Sequence, residues 1–301
     1  MPAPATLHQL WASASDRLVS ADIPDASLEA EVLLRCALGI DRAVFYATLR
    51  DPVLTEASGR FERLLARREG REPLSYITGE REFYGMDFIV TPDVLVPRQE
   101  TELLVDLAIE RLGDTKTLKV LDVGTGTGCV ALAIAAQVPR AEVHSVDASD
   151  GALAVATRNR EAHGLAARVT LHSGDLLSTF DGEKGRWDVI VSNPPYIPTD
   201  VIDTLSPEVR AEPRMALDGG PDGLDPTCVL LIQAHGLLAE HGTLLIEIYS
   251  DNAAEVEVLA KRAFPRTRVN IHDDLLGLAR VLEIGPVSRQ STSVLPATES
   301  N

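Results

Sequence analysis

Cysteine is scarce in this 301-residue sequence, and the few that are present lie far apart. Cys36, Cys129 and Cys228 are too few and too scattered for a disulfide framework or a zinc site. The seven histidines show no metal-ligand spacing such as His-Glu-x-x-His, so no metal cofactor is expected. The expected setting is therefore a reducing one, the cytoplasm.

Long apolar runs are missing, and basic residues are outnumbered. No stretch approaches about 18 uninterrupted apolar residues, and the first residues lack a charged segment followed by an apolar one, so neither a membrane span nor a secretory signal is predicted. Lys and Arg number 28 against 45 Asp and Glu, a net charge of −17. DNA is disfavoured as a direct partner, because phosphates attract a basic surface. The acidic excess, mostly in residues 93–301, suits either a locally basic partner or solubility.

The first quarter of the chain has the periodicity of helices. Apolar residues recur at helical spacing between Leu7 and Leu18, and again from Leu28 after the predicted cap Ser27. Two further helices are predicted over residues 43–49 and 55–68. No strand pattern interrupts them, so residues 1–77 are predicted to form a small helical domain.

Beyond residue 77 the pattern changes. Short β-type segments on either side of Gly85 predict a hairpin linker over residues 78–96. In residues 97–285 apolar strands alternate with amphipathic helices, which predicts an α/β domain with a mainly parallel sheet and a terminal antiparallel pair. Residues 286–301 are rich in Ser, Thr and Pro and are predicted to be disordered. The predicted strands are 118–123, 142–147, 169–172, 189–192, 243–248, 268–272 and 279–284.

A glycine-rich turn follows the first of these strands and reads Gly124-Thr125-Gly126-Thr127-Gly128. Glycine lets the backbone approach a ligand closely, at the edge of the sheet where ligands bind. Dinucleotide sites need G-x-G-x-x-G directly after the strand, and the sixth position here is Cys129. The alternating glycines are instead typical of S-adenosylmethionine sites, so the five turn residues are predicted to contact that cofactor. The alternative is a turn that binds nothing.

Two carboxylates follow the next two strands. Asp147 ends the second strand, where it can accept hydrogen bonds from ribose hydroxyls or cap the following helix. Asp175 ends the third strand and could face the adenine amino group, although Asp after Gly is also common in turns. Leu176 would form an apolar wall for the adenine ring.

The most informative segment ends the fourth strand and reads Asn193-Pro194-Pro195-Tyr196. The prolines remove two N–H donors, which leaves the carbonyl of Pro194 without a neighbouring donor. That carbonyl and the side-chain oxygen of Asn193 suit the two hydrogens of a planar NH2 group. Such hydrogen bonds favour charge developing on a nitrogen that is otherwise a poor nucleophile. Tyr196 would wall the pocket and stack on the target, and no strong general base is required.

These motifs belong to a longer set of segments, 72–79, 82–85, 94–102, 124–128, 192–197, 212–213, 216–217 and 222–224. Through them the sequence resembles the peptide chain release factor N5-glutamine methyltransferases over nearly its whole length. The resemblance implies a Rossmann-like, seven-stranded methyltransferase sheet joined by a hairpin to an N-terminal helical docking domain. It implies S-adenosylmethionine as methyl donor, S-adenosylhomocysteine as product and the glutamine of the Gly-Gly-Gln loop of release factors as substrate. A monomer without a membrane partner is expected.

The resemblance also assigns roles to residues. It places the turn residues 124–128, together with Asp147, Asp175, Leu176 and Asn193, against the cofactor, and the glutamine against Asn193, Pro194, Pro195 and Tyr196. Arg98, Glu100 and Thr101 would line or brace the cleft, unless the last two only start a helix. The sequence departs from the family pattern at Gln99, Tyr249 and Leu278, which concerns substrate docking rather than the reaction.

Three other functions remain open at this point. A sister enzyme that methylates a ribosomal-protein glutamine would share the same motif. A methyltransferase for an amino group of DNA or RNA would need a basic channel and a way to extrude the base, and the sequence shows no basic tract. A non-catalytic module that binds the cofactor and docks on the translation machinery would not need the intact Asn193–Tyr196 segment.

Overall fold

The computed structural model describes residues 4–112 and 118–286. The N-terminal part of the chain, up to residue 78, is helical. Its helices are α1 Leu7–Ser20, α2 Ala26–Leu38, α3 Arg42–Ala47, α4 Thr55–Glu69 and α5 Leu74–Thr78. Their apolar faces pack into one cluster in which Leu18, Leu33 and Phe61 are almost fully buried. The four predicted helices are confirmed. The short helix α5 was not predicted, because five residues are too few to show a period.

The starts of α1 and α2 differ in how they are capped. Helix α1 begins with a capping box, in which the side chains of Thr6 and Gln9 each accept a hydrogen bond from the other's backbone N–H. The predicted cap of α2 at Ser27 is wrong. The cap is Asp25, which has a left-handed backbone (φ 53°) and makes no side-chain cap bond. Helix α2 therefore begins at Ala26, before the predicted cap, and Leu28 is half exposed.

A β-hairpin connects the helices to the rest of the chain. Its strands, β1 Glu80–Phe83 and β2 Met86–Ile89, pair antiparallel around Tyr84 and Gly85, which both have positive φ. The side chain of Asn159 accepts a hydrogen bond from Ile89 N (2.7 Å) and donates to Ile89 O (3.0 Å) and Thr127 O (2.9 Å). One buried amide therefore joins the hairpin to the glycine-rich turn.

A seven-stranded sheet forms the core of the remaining chain, as predicted. The strands are β3 Leu118–Val123, β4 Ala141–Asp147, β5 Val169–Ser173, β6 Trp187–Ser192, β7 Leu238–Glu247, β8 Arg268–Asp273 and β9 Ala279–Gly285. They lie in the order β5-β4-β3-β6-β7-β9-β8. The first five are parallel, while β9 is antiparallel to both of its neighbours. The predicted terminal antiparallel pair is therefore confirmed.

Helices cover both faces of this sheet. They are α6 Glu102–Leu112, α7 Cys129–Gln137, α8 Asp150–Ala162, α9 Pro207–Arg210, α10 Asp225–Leu237 and α11 Ala253–Ala263. Apolar residues of α6 and α7 pack on one face with Phe83 and Phe88 of the hairpin, and those of α10 and α11 pack on the other. Because the strand order reverses between β3 and β6, a crevice forms at the carboxyl ends of these two strands.

A cluster of ion pairs ties the N-terminal helices to the sheet-containing part. The guanidinium of Arg68 on α4, only 3% exposed, donates to the carboxylates of Glu29 on α2 and Glu208 on α9. Arg71 adds two hydrogen bonds to Glu208, of 2.7 and 2.9 Å. Burial acts against ionisation, but the hydrogen bonds from Arg71 and Arg68 hold the pKa of Glu208 at about 2.

We expect Arg68→Met to lower the free energy of unfolding by about 3 kcal/mol, because the half-buried carboxylates of Glu29 and Glu208 lose a buried partner. Urea denaturation measures the change. Arg60→Met is the matched control: Arg60 lies on the same helix, pairs in solvent with Glu56 and donates a hydrogen bond to Ala37 O (3.1 Å), so its loss costs only about 1 kcal/mol. Equal losses in the free energy of unfolding for the two substitutions would show that the ion pairs of Arg68 contribute no more to stability than an exposed pair does.

Three remaining predictions concern the tail, the membrane and the cysteines. The tail predicted over residues 286–301 lies, from residue 287 onward, outside the described residues. Within the described part of the chain no helix is both long and apolar enough to cross a membrane. Cys36, Cys129 and Cys228 are all free thiols.

Candidate active site

A cavity opens at the carboxyl ends of β3, β4, β5 and β6, in the crevice where the strand order reverses. Its volume is about 380 Å³, within the range of about 300–1,000 Å³ that is usual for small-molecule sites. Its walls come from four strand ends, from the segment after the hairpin and from two later loops. The site predicted from separate motifs is thus one continuous space.

The glycine-rich turn forms the floor of this cavity. Gly124, Gly126 and Gly128 have φ values of 73°, 55° and 83°, which residues with a Cβ rarely adopt. Residues 124–127 line the cavity, whereas Gly128 is the N-cap of α7, where a Cβ would lie a close 3.2 Å from Leu132 Cδ1. Beneath the turn, the buried Asp122 accepts a 2.6 Å hydrogen bond from Thr125, and burial raises its pKa to about 7.

Asp147 lies beside the turn at the end of β4. One carboxylate oxygen accepts a hydrogen bond from Gly126 N (2.8 Å), and the other accepts from Ser149 N (2.9 Å). The N-cap of α8 is Ser149, whose hydroxyl accepts from Ala152 N (3.1 Å), so capping this helix is not the role of Asp147. Asp147 instead shapes the turn and presents its remaining lone pairs to the cavity that it lines.

The two residues predicted to face adenine lie at the end of β5, and both line the cavity. Asp175 is exposed and takes no side-chain hydrogen bond among the residues that the structure describes. Leu176 is half-buried and has a positive φ of 47°, unusual for a residue with a branched side chain. This strained backbone turns the leucine side chain toward the cavity wall.

The Asn193–Tyr196 segment begins where β6 ends. Asn193 and Pro195 line the cavity, while Pro194 is buried and is not among the lining residues. The Nδ2 of Asn193 donates a 3.2 Å hydrogen bond to the hydroxyl of Thr101. One of the two N–H donors of the amide is thereby engaged, and the side-chain oxygen accepts no hydrogen bond among the described residues, so it is available as an acceptor.

Tyr196 lies beside the cavity rather than in its lining. Its hydroxyl donates to Glu247 Oε1 (3.2 Å), and its ring stacks on Tyr249 with 6.2 Å between centroids and 5° between planes. Burial and the nearby carboxylate raise the pKa of Tyr196, so the hydroxyl remains a donor at neutral pH. Contact of Tyr196 with a substrate stays a prediction.

A second segment, residues 217–223, braces the loop that follows Tyr196. Ile197 N donates to Leu217 O (3.0 Å), and Gly219 N donates to Ile197 O (2.9 Å). A Cβ at Gly219 would lie 2.8 Å from Tyr196 Cα, so only glycine fits there. Residues 216–217 and 222–224 contribute to the family resemblance, but the structural role of this segment was not predicted.

Arg98 lines the opposite wall of the cavity and is held by Glu212. The two side chains form a 2.6 Å ion pair, and Glu212, only 5% exposed, also accepts a hydrogen bond from Val96 N (3.3 Å). Burial raises the pKa of Glu212, and the charge of Arg98 opposes that rise. Glu212 was not among the predicted site residues.

A second residue that the sequence did not reveal is Glu247, at the end of β7. It is fully buried and contacts the site through Tyr196 and Thr101. Burial raises its pKa to about 7, although the hydroxyl of Thr101, the charge of Arg280 and the hydrogen bond from Tyr196 act in the opposite direction. The only signal in the sequence is an acidic residue that ends an otherwise apolar strand.

Thr101 is buried, lines the cavity and ends the short 3-10 turn Gln99–Thr101, which leads directly into α6. Glu100 is half-buried and is not in the lining of the cavity. Across residues 4–112 and 118–286, no group of three or more His, Cys, Asp and Glu side chains could hold a metal ion.

Two protein-family models match the chain. The PrmC N-terminal domain matches residues 9–79, and the methyltransferase small domain matches residues 99–207. The first match covers the helices and the second covers β3 to β6 with the glycine-rich turn and the Asn193–Tyr196 segment.

Curated proteins with similar sequences extend the likeness over most of the chain. A release factor glutamine methyltransferase of Moorella thermoacetica is 46% identical over 85% of this chain and 90% of its own length. One of Geobacter sulfurreducens is 47% identical over 77% of this chain and 80% of its own, and one of Caulobacter vibrioides is 39% identical over 92% and 95%.

A solved structure supports the fold independently. The 16S rRNA N2 G1207 methyltransferase of T. thermophilus, in complex with AdoMet and guanosine, matches with a TM-score of 0.50 and 19% identity. The match covers 69% of this chain and 50% of that one, and at this identity it shows the methyltransferase fold alone. The identities to the curated relatives reach further, and they show that the chain belongs to the release factor glutamine methyltransferase family.

Proposed function

We propose that this protein transfers a methyl group from S-adenosylmethionine to the side-chain amide nitrogen of the glutamine in the Gly-Gly-Gln loop of peptide chain release factors. The observation that carries the proposal is the placement of Asn193. Its amide lines the cavity beside the glycine-rich turn, and its oxygen is left available as an acceptor. The similarity to release factor glutamine methyltransferases, which extends over most of the length of those relatives, supports the same substrate.

The residues at the strand ends fit the cofactor. The three positive-φ glycines of the turn carry no side chains, so the cofactor can approach the backbone closely. Asp147 offers carboxylate lone pairs suited to ribose hydroxyls. Asp175 and Leu176 would accept from the adenine amino group and cover one face of its ring. Thr125 and Thr127 complete the floor. When bound, S-adenosylmethionine supplies an electrophilic methyl group, and S-adenosylhomocysteine remains after the transfer.

The side chains around Asn193 address the nitrogen's weak nucleophilicity. An amide nitrogen shares its lone pair with the carbonyl, so acceptors for its two hydrogens favour charge that develops there. The proposed acceptors are the side-chain oxygen of Asn193 and the carbonyl of Pro194. Pro195 and Tyr196 would bound the glutamine, and Arg98, fixed by Glu212, would orient it from the opposite wall. The product loses its extra proton readily to water, so no strong general base is needed.

The division of labour along the chain is part of the proposal. Residues 1–77 would dock the protein substrate, residues 78–96 would link, and residues 97–285 would carry the reaction. Every residue invoked lies in one chain, so a monomer suffices. A substrate that acts in translation places the reaction in the cytoplasm. No DNA contact is proposed, because the region that carries the reaction is strongly acidic.

Methyl transfer from labelled S-adenosylmethionine tests the proposal. We expect label on purified release factors and none on variants in which the loop glutamine is replaced by alanine. Duplex DNA and ribosomal proteins serve as parallel acceptors. Label on a ribosomal protein instead would assign the sister activity, and label on DNA would overturn protein-glutamine methylation.

A further inference from the structure

The fully buried carboxyl of Glu247 has no role in the proposed reaction as described so far. Its Oε1 accepts from Tyr196 at 3.2 Å, and its Oε2 is buried without a well-aligned partner among the described residues. The hydroxyl of Thr101 acts on this carboxyl as a donor that lowers its pKa, which makes Thr101 the candidate partner for the unpaired oxygen. A buried carboxyl without enough donors is costly, so its retention beside the cavity points to a task.

The hydrogen bond between Thr101 and Asn193 indicates what this task is. A threonine hydroxyl has one hydrogen, so a hydrogen directed at Glu247 leaves only lone pairs to face Asn193. Asn193 must then present its NH2 group to Thr101, which is the 3.2 Å contact observed. Its oxygen consequently faces the cavity. The orientation of an asparagine amide is set by such a network, and this network ends on a carboxyl that can only accept hydrogen bonds while it is ionised.

We propose, on the basis of the proposed function, that Glu247 is a positioning residue: through Thr101 it holds the amide of Asn193 with its oxygen toward the target nitrogen. It does not touch substrate or cofactor. It acts by keeping the chain of hydrogen bonds pointing one way. The other oxygen of Glu247 accepts the hydrogen bond from Tyr196, so the last residue of the Asn193–Tyr196 segment is held by the same carboxyl.

The polarity of this chain depends on the charge of Glu247. When ionised, Glu247 accepts from both hydroxyls; when protonated, it becomes a donor and the Thr101 hydroxyl is free to turn toward Asn193. The other charged or titratable groups that act on it are Arg280, which favours the carboxylate, and Glu100, which opposes it, while Cys129 faces it from α7. With a pKa raised to about 7, the ionised form is present above that pH and is lost as the pH falls through it.

The test compares Glu247→Gln with the wild type on release factor and on the free enzyme. We expect kcat to fall by about 10- to 100-fold, with affinity for S-adenosylmethionine within about 2-fold, because only the orientation of one acceptor is lost. The wild-type kcat falls below pH 7 and that of the variant does not. Normal turnover with an unchanged pH profile would overturn the proposal.

A second variant separates this role from a structural one. Thr101→Val removes the relay while keeping the shape of the side chain, and the double variant is expected to lose no more kcat than either single variant, since both break one chain. Additive losses would overturn the relay. Glu283→Gln, a buried carboxylate of β9 paired with Arg111, controls for loss of buried charge without an effect on the pH profile.

A readout without substrate keeps this inference distinct from the proposed function. In 15N-labelled wild-type protein the side-chain NH2 signals of Asn193 are expected to shift with an apparent pKa near 7, and in Glu247→Gln they are not. If the Asn193 NH2 signals do not change with pH in either protein, the relay is refuted even if methylation is confirmed. A normal titration with no methylation of release factors would instead refute the substrate.

Discussion

Asn193→Ala is expected to lower kcat by about 10²–10³-fold while the fold and the affinity for S-adenosylmethionine remain nearly unchanged. Among residues 4–112 and 118–286 the side chain makes one hydrogen bond, to Thr101, so its removal disturbs little of the surrounding packing. What disappears is an acceptor placed on a preorganised segment for charge that develops on the target nitrogen. Such groups contribute most in the transition state and little to ground-state binding.

Steady-state kinetics on release factor, together with calorimetry for the cofactor, measure both parts of this prediction. Asn270→Ala is the matched control: its amide also donates to one side-chain oxygen, that of Glu283, but on the edge strand β8 away from the cavity. We expect its kcat to remain at the wild-type value. Near-normal turnover in Asn193→Ala would show that the acceptor role is wrong.

The fold could be predicted where a local pattern is forced by burial. Strand β3 is apolar because it lies at the centre of the sheet between β4 and β6, and its bounds were predicted to the residue. Strand β7 begins five residues earlier than predicted. Its first residues, 238–242, contain Glu240, His241 and Gly242 and so break the apolar run, and their pairing rests on one register match between Leu238 and Trp187 that no local pattern shows.

The candidate site divides in the same way. The glycine-rich turn and the Asn193–Tyr196 segment are visible in the sequence because backbone conformation demands particular residues at adjacent positions. Glu212 and Glu247 are not, because each acquires its role only from a partner far along the chain. Glu212 meets Arg98 across 114 residues, and a lone carboxylate in a sequence carries no sign of such a pairing.

Asp147→Ala is expected to weaken S-adenosylmethionine binding by about 10- to 100-fold, since hydrogen bonds to a charged group contribute about 1.5–3 kcal/mol. The structure adds a second reason. Asp147 holds the backbone N–H groups of Gly126 and Ser149, so its loss also loosens the floor of the cavity. At saturating cofactor kcat should stay within about 3-fold of wild type, because Asn193 and its hydrogen-bond partner Thr101 are untouched.

Isothermal titration calorimetry of the free enzyme measures this loss, and two variants divide it between its causes. Asp147→Asn keeps one acceptor oxygen for Gly126 N, so it preserves the turn better than alanine does and should lose less affinity. Asp175→Ala removes an exposed carboxylate that holds no backbone N–H in the turn, and its effect should be smaller still. Unchanged affinity in Asp147→Ala would show that the ribose assignment is wrong. Equal losses in all three variants would point instead to a general loss of negative charge around the cavity.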